Sequence, residues 1–413
     1  MTSPAGPATQ AGLLALVSSF TATGIIATSI YVPSLPAIGQ DLSASPAAVK
    51  LTLSVFLATF AVGQLVYGPI SDRIGRRPTL ISGLAICVLA SIGCIFAPDI
   101  WSLVGARIVQ GLGACVGVVV TRAVIRDLYG RSGAARAMSM LAMVIIMAPV
   151  LAPIVGGYIE DYAGWRYQFV FIAAMATLVL ALAWFQLPET HSGRAGGPGM
   201  LRSALHAYGR LGRNGEFLAY ALYIGFAFGG VYCFIGAAPT VFINVMEIPA
   251  RAFGWIAAGQ AMGFFVGSLL SSRITQRIGL ERMVDLGVVT AILAAALLLG
   301  LSLADIVTVA AIMGPMFLWS MGMGLSFPNA MAGALSVDPR IAGSASALSG
   351  FFQMAGGALG AILIGLPAHD HSAPMATGLA IATVLAALMW FGLRGRTARA
   401  AAQRRAEAER REP

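Results

Sequence analysis

Charge is what this sequence has least of. Asp, Glu, Lys and Arg make up 10% of its 413 residues while 58% are hydrophobic, more apolar surface than a water-soluble core can hide, so the chain belongs in a bilayer. Lysine is nearly missing: Lys50 stands alone against 25 arginines, a bias that GC-rich bacterial coding produces. Cysteine is rare too. Cys87, Cys94, Cys115 and Cys233 each sit inside an apolar run, which argues against a disulfide framework or a metal site and for small packing residues. A nucleophile elbow, a metal-ligand cluster, a phosphate-cradling loop and a filter signature are all absent. The chain therefore reads as neither an enzyme nor a channel, and no cofactor or metal is expected.

What is present is apolar length. Twelve stretches long enough to span lie near 13–35, 51–70, 79–97, 102–121, 138–159, 168–187, 217–243, 253–272, 283–303, 306–328, 343–366 and 375–393. Of the 26 basic residues, 22 fall in one set of alternate loops and the C-terminal tail, whereas the opposite loops hold only Lys50, Arg166 and Arg251. That asymmetry puts the basic loops and both termini in the cytoplasm of a bacterial inner membrane. The net charge of +9 follows from topology, and nucleic-acid binding is not expected. The first run lacks a basic leader and is followed by further spans, so it reads as a retained helix.

Between the second and third runs stands Gly68-Pro69-Ile70-Ser71-Asp72-Arg73-Ile74-Gly75-Arg76-Arg77-Pro78. Its glycines give permissive backbone, Pro78 suits the first turn of the next helix, and one acid among three arginines makes a compact ion cluster at the membrane face. A loop over Thr121–Tyr129 is expected to bring Asp127 to the same face. The fourth run carries Arg107-Ile108-Val109-Gln110-Gly111-Leu112-Gly113, and Arg107 is the charge placed well inside a span. Its insertion cost of about 2.5–3.5 kcal/mol is one usually tolerated for function. In the fifth run, Ala148-Pro149-Val150-Leu151-Ala152-Pro153-Ile154-Val155-Gly156-Gly157 combines two helix-bending prolines with small residues that let a neighbour cross closely. Tyr31, near the end of the first run, is expected to anchor at the outer interface.

The stretch from Pro188 to Glu216, glycine- and arginine-rich with no sustained apolar face, is read as a cytoplasmic linker. It separates an N-terminal half, 1–187, from a C-terminal half, 217–393, followed by a basic tail, 394–413. Arg73-Ile74-Gly75 recurs as Arg277-Ile278-Gly279, the mark of two related halves, which in transporters enclose a cavity. The second copy has Gln276 where the first has Asp72, so a charge cluster is expected to be stronger in the first half. Ser29, Tyr31, Gln110, Tyr232, Gln260, Trp319, Asn329 and Gln353 are candidates to line the cavity. The surrounding aromatics and methionines suit a greasy, adaptable site better than one for sugars or phosphates.

These motifs resemble those of the major facilitator superfamily. Glycine, three residues, Asp-Arg, one residue, Gly-Arg-Arg is similar to its loop 2–3 signature, and Arg107 with Gln110-Gly111 and Gly113 to its helix 4 motif, associated with proton transfer. The helix 5 run is similar to the drug-exporter antiporter motif at Pro149, Pro153, Gly156 and Gly157, with Ala148 and Ala152 replacing expected glycines. Ser29-Ile30-Tyr31-Val32-Pro33 resembles the end of helix 1 in the Bcr/CflA drug-efflux family, with Ser29 where that family has aspartate. The resemblance implies an all-α integral membrane protein of twelve transmembrane helices in two pseudo-symmetric six-helix halves. It further implies a conformational latch of Asp72, Arg73, Arg76 and Asp127, and a monomeric exporter of small amphipathic molecules driven by protons.

Proton coupling is where the residues depart from the family. Antiport needs a group that proton and substrate both influence, usually a buried carboxylate, and Ser29 cannot carry a proton at ordinary pH. Coupling is expected through Arg107 with acids at the cavity ends, Asp72 and Asp127 inside or Glu160 and Asp161 outside. The alternatives are an uncoupled facilitator and an exporter of a native metabolite such as an amino acid or nucleobase.

Overall fold

The computed structural model describes residues 7–190, 200–364 and 373–409, with side chains from Gly12 to Arg394 apart from those of 130–136, 139, 146 and 200–201. The N-terminal end 1–6, the middle of the linker and the basic tail's side chains lie outside the described residues. All regular structure described is helical, and twelve helical stretches are long and apolar enough to cross a membrane. In chain order the helices are α1 (Pro7–Ser29), α2 (Leu35–Asp41), α3 (Pro46–Ile74), α4 (Arg76–Ile95), α5 (Ile100–Ala163), α6 (Arg166–Gln186) and α7 (Met200–Gly212). There follow α8 (Gly215–Pro239), α9 (Ala250–Ile278), α10 (Leu280–Leu303), α11 (Val309–Ser336), α12 (Ala342–Leu363) and α13 (Ala373–Glu409). The fold is the all-α, twelve-span membrane architecture expected.

Local chemistry starts the helices where it should. Ser45 accepts from the Ala48 N–H ahead of Pro46 to open α3, and Thr308 accepts from Ala311 to open α11. Asp99 opens α5 by accepting from the N–H groups of Trp101 and Ser102 at 2.8 and 3.0 Å. The Ser102 hydroxyl and N–H hold the Asp99 carboxyl below its usual range. Gly75 ends α3 at φ +106° and Gly279 ends α9 at φ +88°. Both are conformations an L side chain avoids, and both are the glycine of the repeated Arg-Ile-Gly.

Two expectations of loops are corrected. The stretch Thr121–Tyr129 is helical, inside a continuous run of 64 residues. That helix cannot be straight. A Cβ on Gly117 would meet the Phe20 carbonyl and one on Gly156 the Ile30 carbonyl, contacts about 58 Å apart along an unbent α5 but about 15 Å apart along α1. The chain therefore turns back on itself between Gly117 and Gly156 within one run of helical backbone. The linker also contains a helix, α7, whose Leu211 is buried and whose Arg210 pairs with Asp338. Composition reported polarity there, and polarity does not forbid a helix.

The helices form two compact units. One takes in Met1–Leu201, Ile235–Ala261 and Ala361–Ser372; the other takes in Arg202–Phe234, Met262–Gly360 and Ala373–Pro413. In the first unit α1 and α5 meet backbone to backbone at Gly24 and Ala114 and again at Gly117 and Phe20. In the second, Gly225, Gly229, Gly356 and Gly360 do the same for α8 and α12. All four cysteines are buried and free.

Candidate functional site

At the arginine-rich end of the first unit, the turn between α3 and α4 folds around Arg76, which is 3% exposed. Its guanidinium pairs with Asp72 one turn earlier and, from Nε, with Asp127 of α5 at 3.2 Å; it also donates to Ser71 Oγ at 2.5 Å. The turn thus joins Asp72, Arg76 and Asp127. Arg73 is exposed and, among the described residues, takes no part. Sequence reasoning missed a further member, Glu189, which lies just past α6. Its carboxylate accepts from the N–H groups of Arg76 and Arg77 at 3.0 and 3.2 Å, capping α4 with negative charge. The Arg77 guanidinium lies over Trp184 and donates to its carbonyl.

Deeper in the same unit, Arg107 is fully buried. It does not reach outward along its stem. One nitrogen donates to the Ala27 carbonyl at 3.0 Å and to Gln110 Oε1 at 2.5 Å. The rings of Phe56, Tyr31 and Phe169 lie 4.0, 4.2 and 5.9 Å from its central carbon. Gln110, also buried, passes the chain on to Ser91 Oγ at 2.7 Å. Arg107 Nε and its second terminal nitrogen have no partner, and among the described residues no acid pairs with it. Tyr31 is corrected accordingly: it is wholly buried against Arg107, its hydroxyl 3.2 Å from Thr52 Oγ1, and is no interfacial anchor.

At the far end, α5 carries its prolines and glycines into a close seam. Pro149 is exposed and Pro153 buried. Gly156 abuts the Ile30 carbonyl, Gly157 the Ala250 carbonyl, and Gly254 of α9 the Pro153 carbonyl. Any side chain at these glycines would strike backbone, so the small residues permit the approach. Asp161 accepts from the Arg251 N–H at 3.3 Å and pairs with its guanidinium at 3.5 Å. Lys50, expected in a loop, lies in the first turns of α3 and is buried, its ammonium donating to the Ile364 carbonyl at 3.1 Å.

A family model described as Major Facilitator Superfamily matches residues 14–361. The chain belongs to the major facilitator superfamily. It is 29% identical over 394 residues to a bicyclomycin resistance protein homolog of Haemophilus influenzae, covering 93% of this chain and 95% of that one. It is likewise 29% identical to multidrug resistance protein D of Escherichia coli, covering 92% and 95%. Among solved structures it is similar in fold to a bacterial homologue of the human lysosomal transporter Spinster, with a TM-score of 0.71 at 19% identity, covering 94% and 96%.

In the second unit of this superfamily member, the expected cavity residues separate into two kinds. Trp319 and Asn329 are buried and satisfied: the Trp319 indole donates to Thr383 at 2.9 Å, and the Asn329 amide donates to Ser271 Oγ and the Leu325 carbonyl. Tyr232 is buried beside Gly357. Gln353 remains partly exposed, as do Ser29 and Gln260 in the first unit. A charge cluster absent from the sequence reading joins α10 to α13. Arg394 donates to both Asp285 oxygens at 2.8 and 2.9 Å and to Glu281 at 2.6 Å, while the Trp390 indole donates to Asp285 at 2.7 Å. Arg394 and Asp285 are 109 residues apart, so only the fold could reveal the pair.

Proposed function

We propose that the chain is a secondary transporter that exports small amphipathic drugs across the bacterial inner membrane by alternating access, with protons moving inward in exchange. The observation that carries the reading is Arg107, a charge kept wholly inside a span with two donors unused. A structural arginine would be spent on partners, whereas this one is poised to respond to charge. The drug-resistance names of its relatives support the cargo class. Ser29, Gln260 and Gln353, each partly exposed, are carried forward from the sequence as substrate-contacting residues, and Tyr31 and Gln110 position Arg107.

The arginine-rich end faces the cytoplasm, by the charge bias of the loops, and so do both termini. Residues 1–187 and 217–393 act as the two moving halves, working as a monomer. Asp72, Arg76 and Asp127 latch the cytoplasmic end in one state, and protonation of either acid loosens the latch. Pro149, Pro153, Gly156 and Gly157 let the outer end seal.

Ser29, in place of a carboxylate, favours one second reading, an uncoupled facilitator of a small native metabolite. The experiment is transport by everted vesicles of cells expressing the protein, with an imposed pH gradient and a panel of ethidium, chloramphenicol and bicyclomycin beside amino acids and nucleobases. Gradient-dependent drug accumulation with proton release is expected. Metabolite movement without drug accumulation or proton release would replace the first reading with the second.

A further inference from the structure

Of the two outer acids the sequence offers for coupling, Glu160 and Asp161, only Glu160 has no cation bound to it among the described residues. Glu160 sits in the last turn of α5, partly buried. The Ser34 hydroxyl, itself fully buried in the short turn after Tyr31, donates to Glu160 Oε2. Gln168 fixes that direction. Its Nε2 donates at 2.7 Å to the Gly156 carbonyl, which can only accept, and at 2.6 Å to Ser34 Oγ. With the oxygen of Ser34 accepting from Gln168, the Ser34 proton is left to point at the carboxylate. Gln168 is wholly buried, and its Oε1 has no donor.

No basic side chain pairs with Glu160 among the described residues. The charged and titratable groups around it are committed elsewhere. Asp161, next on the same helix, takes Arg251 of α9. Asp41 of α2 takes Arg166 at 2.5 Å and the Trp165 indole at 3.0 Å, at the start of α6. Lys50 of α3 is spent on the Ile364 carbonyl. Tyr31 faces Thr52 and Arg107, and Tyr158 and Tyr162 point away from the core, exposed on α5. A half-buried carboxylate beside a like charge, with a donor but no cation, gains a proton without breaking an ion pair. Asp72 and Asp127 lack that freedom because both hold Arg76.

The site also has a line to Arg107. Tyr31 stands one turn before Ser34, Phe169 follows Gln168 directly, and both rings lie against the Arg107 guanidinium. We propose that Glu160, positioned by Ser34 and Gln168, takes up the proton on the outer side of the transport cycle, with Arg107 as the charge that responds. The proposal rests on the antiport reading and names its proton carrier, in a place other than the vacated aspartate position at Ser29. The proton adds to Oε1, the oxygen that Ser34 does not hold, so the Ser34 hydrogen bond survives. It leaves from the same oxygen, and no bond other than that O–H forms or breaks. Gain or loss of this proton changes the charge beside the two segments whose Tyr31 and Phe169 rings lie against Arg107.

The full-length protein in proteoliposomes provides a test that needs no substrate. Infrared difference spectra recorded over a pH titration are expected to show a protonated-carboxyl band that Glu160→Gln removes. Ser34→Ala should move that band's midpoint to higher pH by about one unit, because the carboxylate loses a donor. An identical titrating band in wild type and Glu160→Gln would overturn the proposal. In a second arm, with ethidium as probe, Glu160→Gln should lose pH-driven accumulation by about tenfold or more while keeping gradient-free counterflow. Should counterflow vanish as well, Glu160→Asp must restore accumulation with a shifted pH profile; restoration of neither makes the residue structural and also overturns the proposal. A wild type that concentrates neither ethidium nor chloramphenicol, yet shows the Glu160 band, would sink the antiport reading and leave the proton site standing.

Discussion

Arg76 and Arg107 are almost equally buried in the same unit, and their surroundings have little in common. Arg76 is held by two carboxylates and a hydroxyl, with Glu189 capping the helix that begins at its own N–H. Arg107 has three rings, a carbonyl and an amide oxygen, and two donors left over. Magnitudes explain how the second arrangement survives without an anion. Desolvating the cation costs several kcal/mol, while each ring returns about 0.5–2 kcal/mol and each charged hydrogen bond about 1.5–3 kcal/mol. The terms nearly cancel, so Arg107 is tolerated yet remains sensitive to any charge that arrives nearby. Arg76 is saturated, which suits a clasp that is either made or broken.

The sharpest way to break this comparison is Arg107→Met. It should reduce proton-driven transport by about a hundredfold or more while leaving the melting temperature unchanged or raised, since an apolar side chain replaces an unpaired cation. Arg107→Lys should not rescue transport, because a compact ammonium cannot lie flat against the rings. Transport assays and thermal melts of one preparation decide this, and a stable, active Arg107→Met protein would end the contrast. Next in size is Arg76→Met. It leaves Asp72 and Asp127 close together without their cation and should destabilise the unit by about 3–5 kcal/mol; adding Asp127→Asn should recover much of the loss. Alone, Asp127→Asn should cost more than Asp72→Asn, about 1–2 against under about 1 kcal/mol, because the Asp127 side chain is 19% exposed and that of Asp72 38%. Smallest is Glu189→Gln, expected to cost about 0.5–1 kcal/mol by removing charge from the start of α4. Melts across these variants would rank them, and a reversed order for the two aspartates would show that exposure does not set their value.

The difference between the two arginines also marks how far the sequence could be read. The Arg76 cluster was legible because its acid and bases are crowded into eleven residues, with Asp127 at a position the topology returns to the same face. Arg107 was legible as costly, and so as meaningful. Its cage was not, since Phe56, Tyr31 and Phe169 arrive from three other segments and no local pattern groups them. Polarity misled at Thr121–Tyr129 and in α7, where solvated side chains sit on helical backbone. The twelve spans were readable throughout, because a bilayer imposes length and apolarity on each one separately. The pairing of Arg394 with Asp285 depends on two helices meeting, and no local pattern encodes that.

Lys50 has a use apart from transport. It is the single lysine among 413 residues, and its ammonium is buried on the Ile364 carbonyl where α12 ends. Apart from the chain's N-terminus, an amine-directed label therefore has one target in the whole protein, shielded while that contact holds. The molecule carries its own chemical clock: the rate of modification at Lys50, read by mass spectrometry with and without ethidium, would report whether and how fast this contact opens, without an engineered probe.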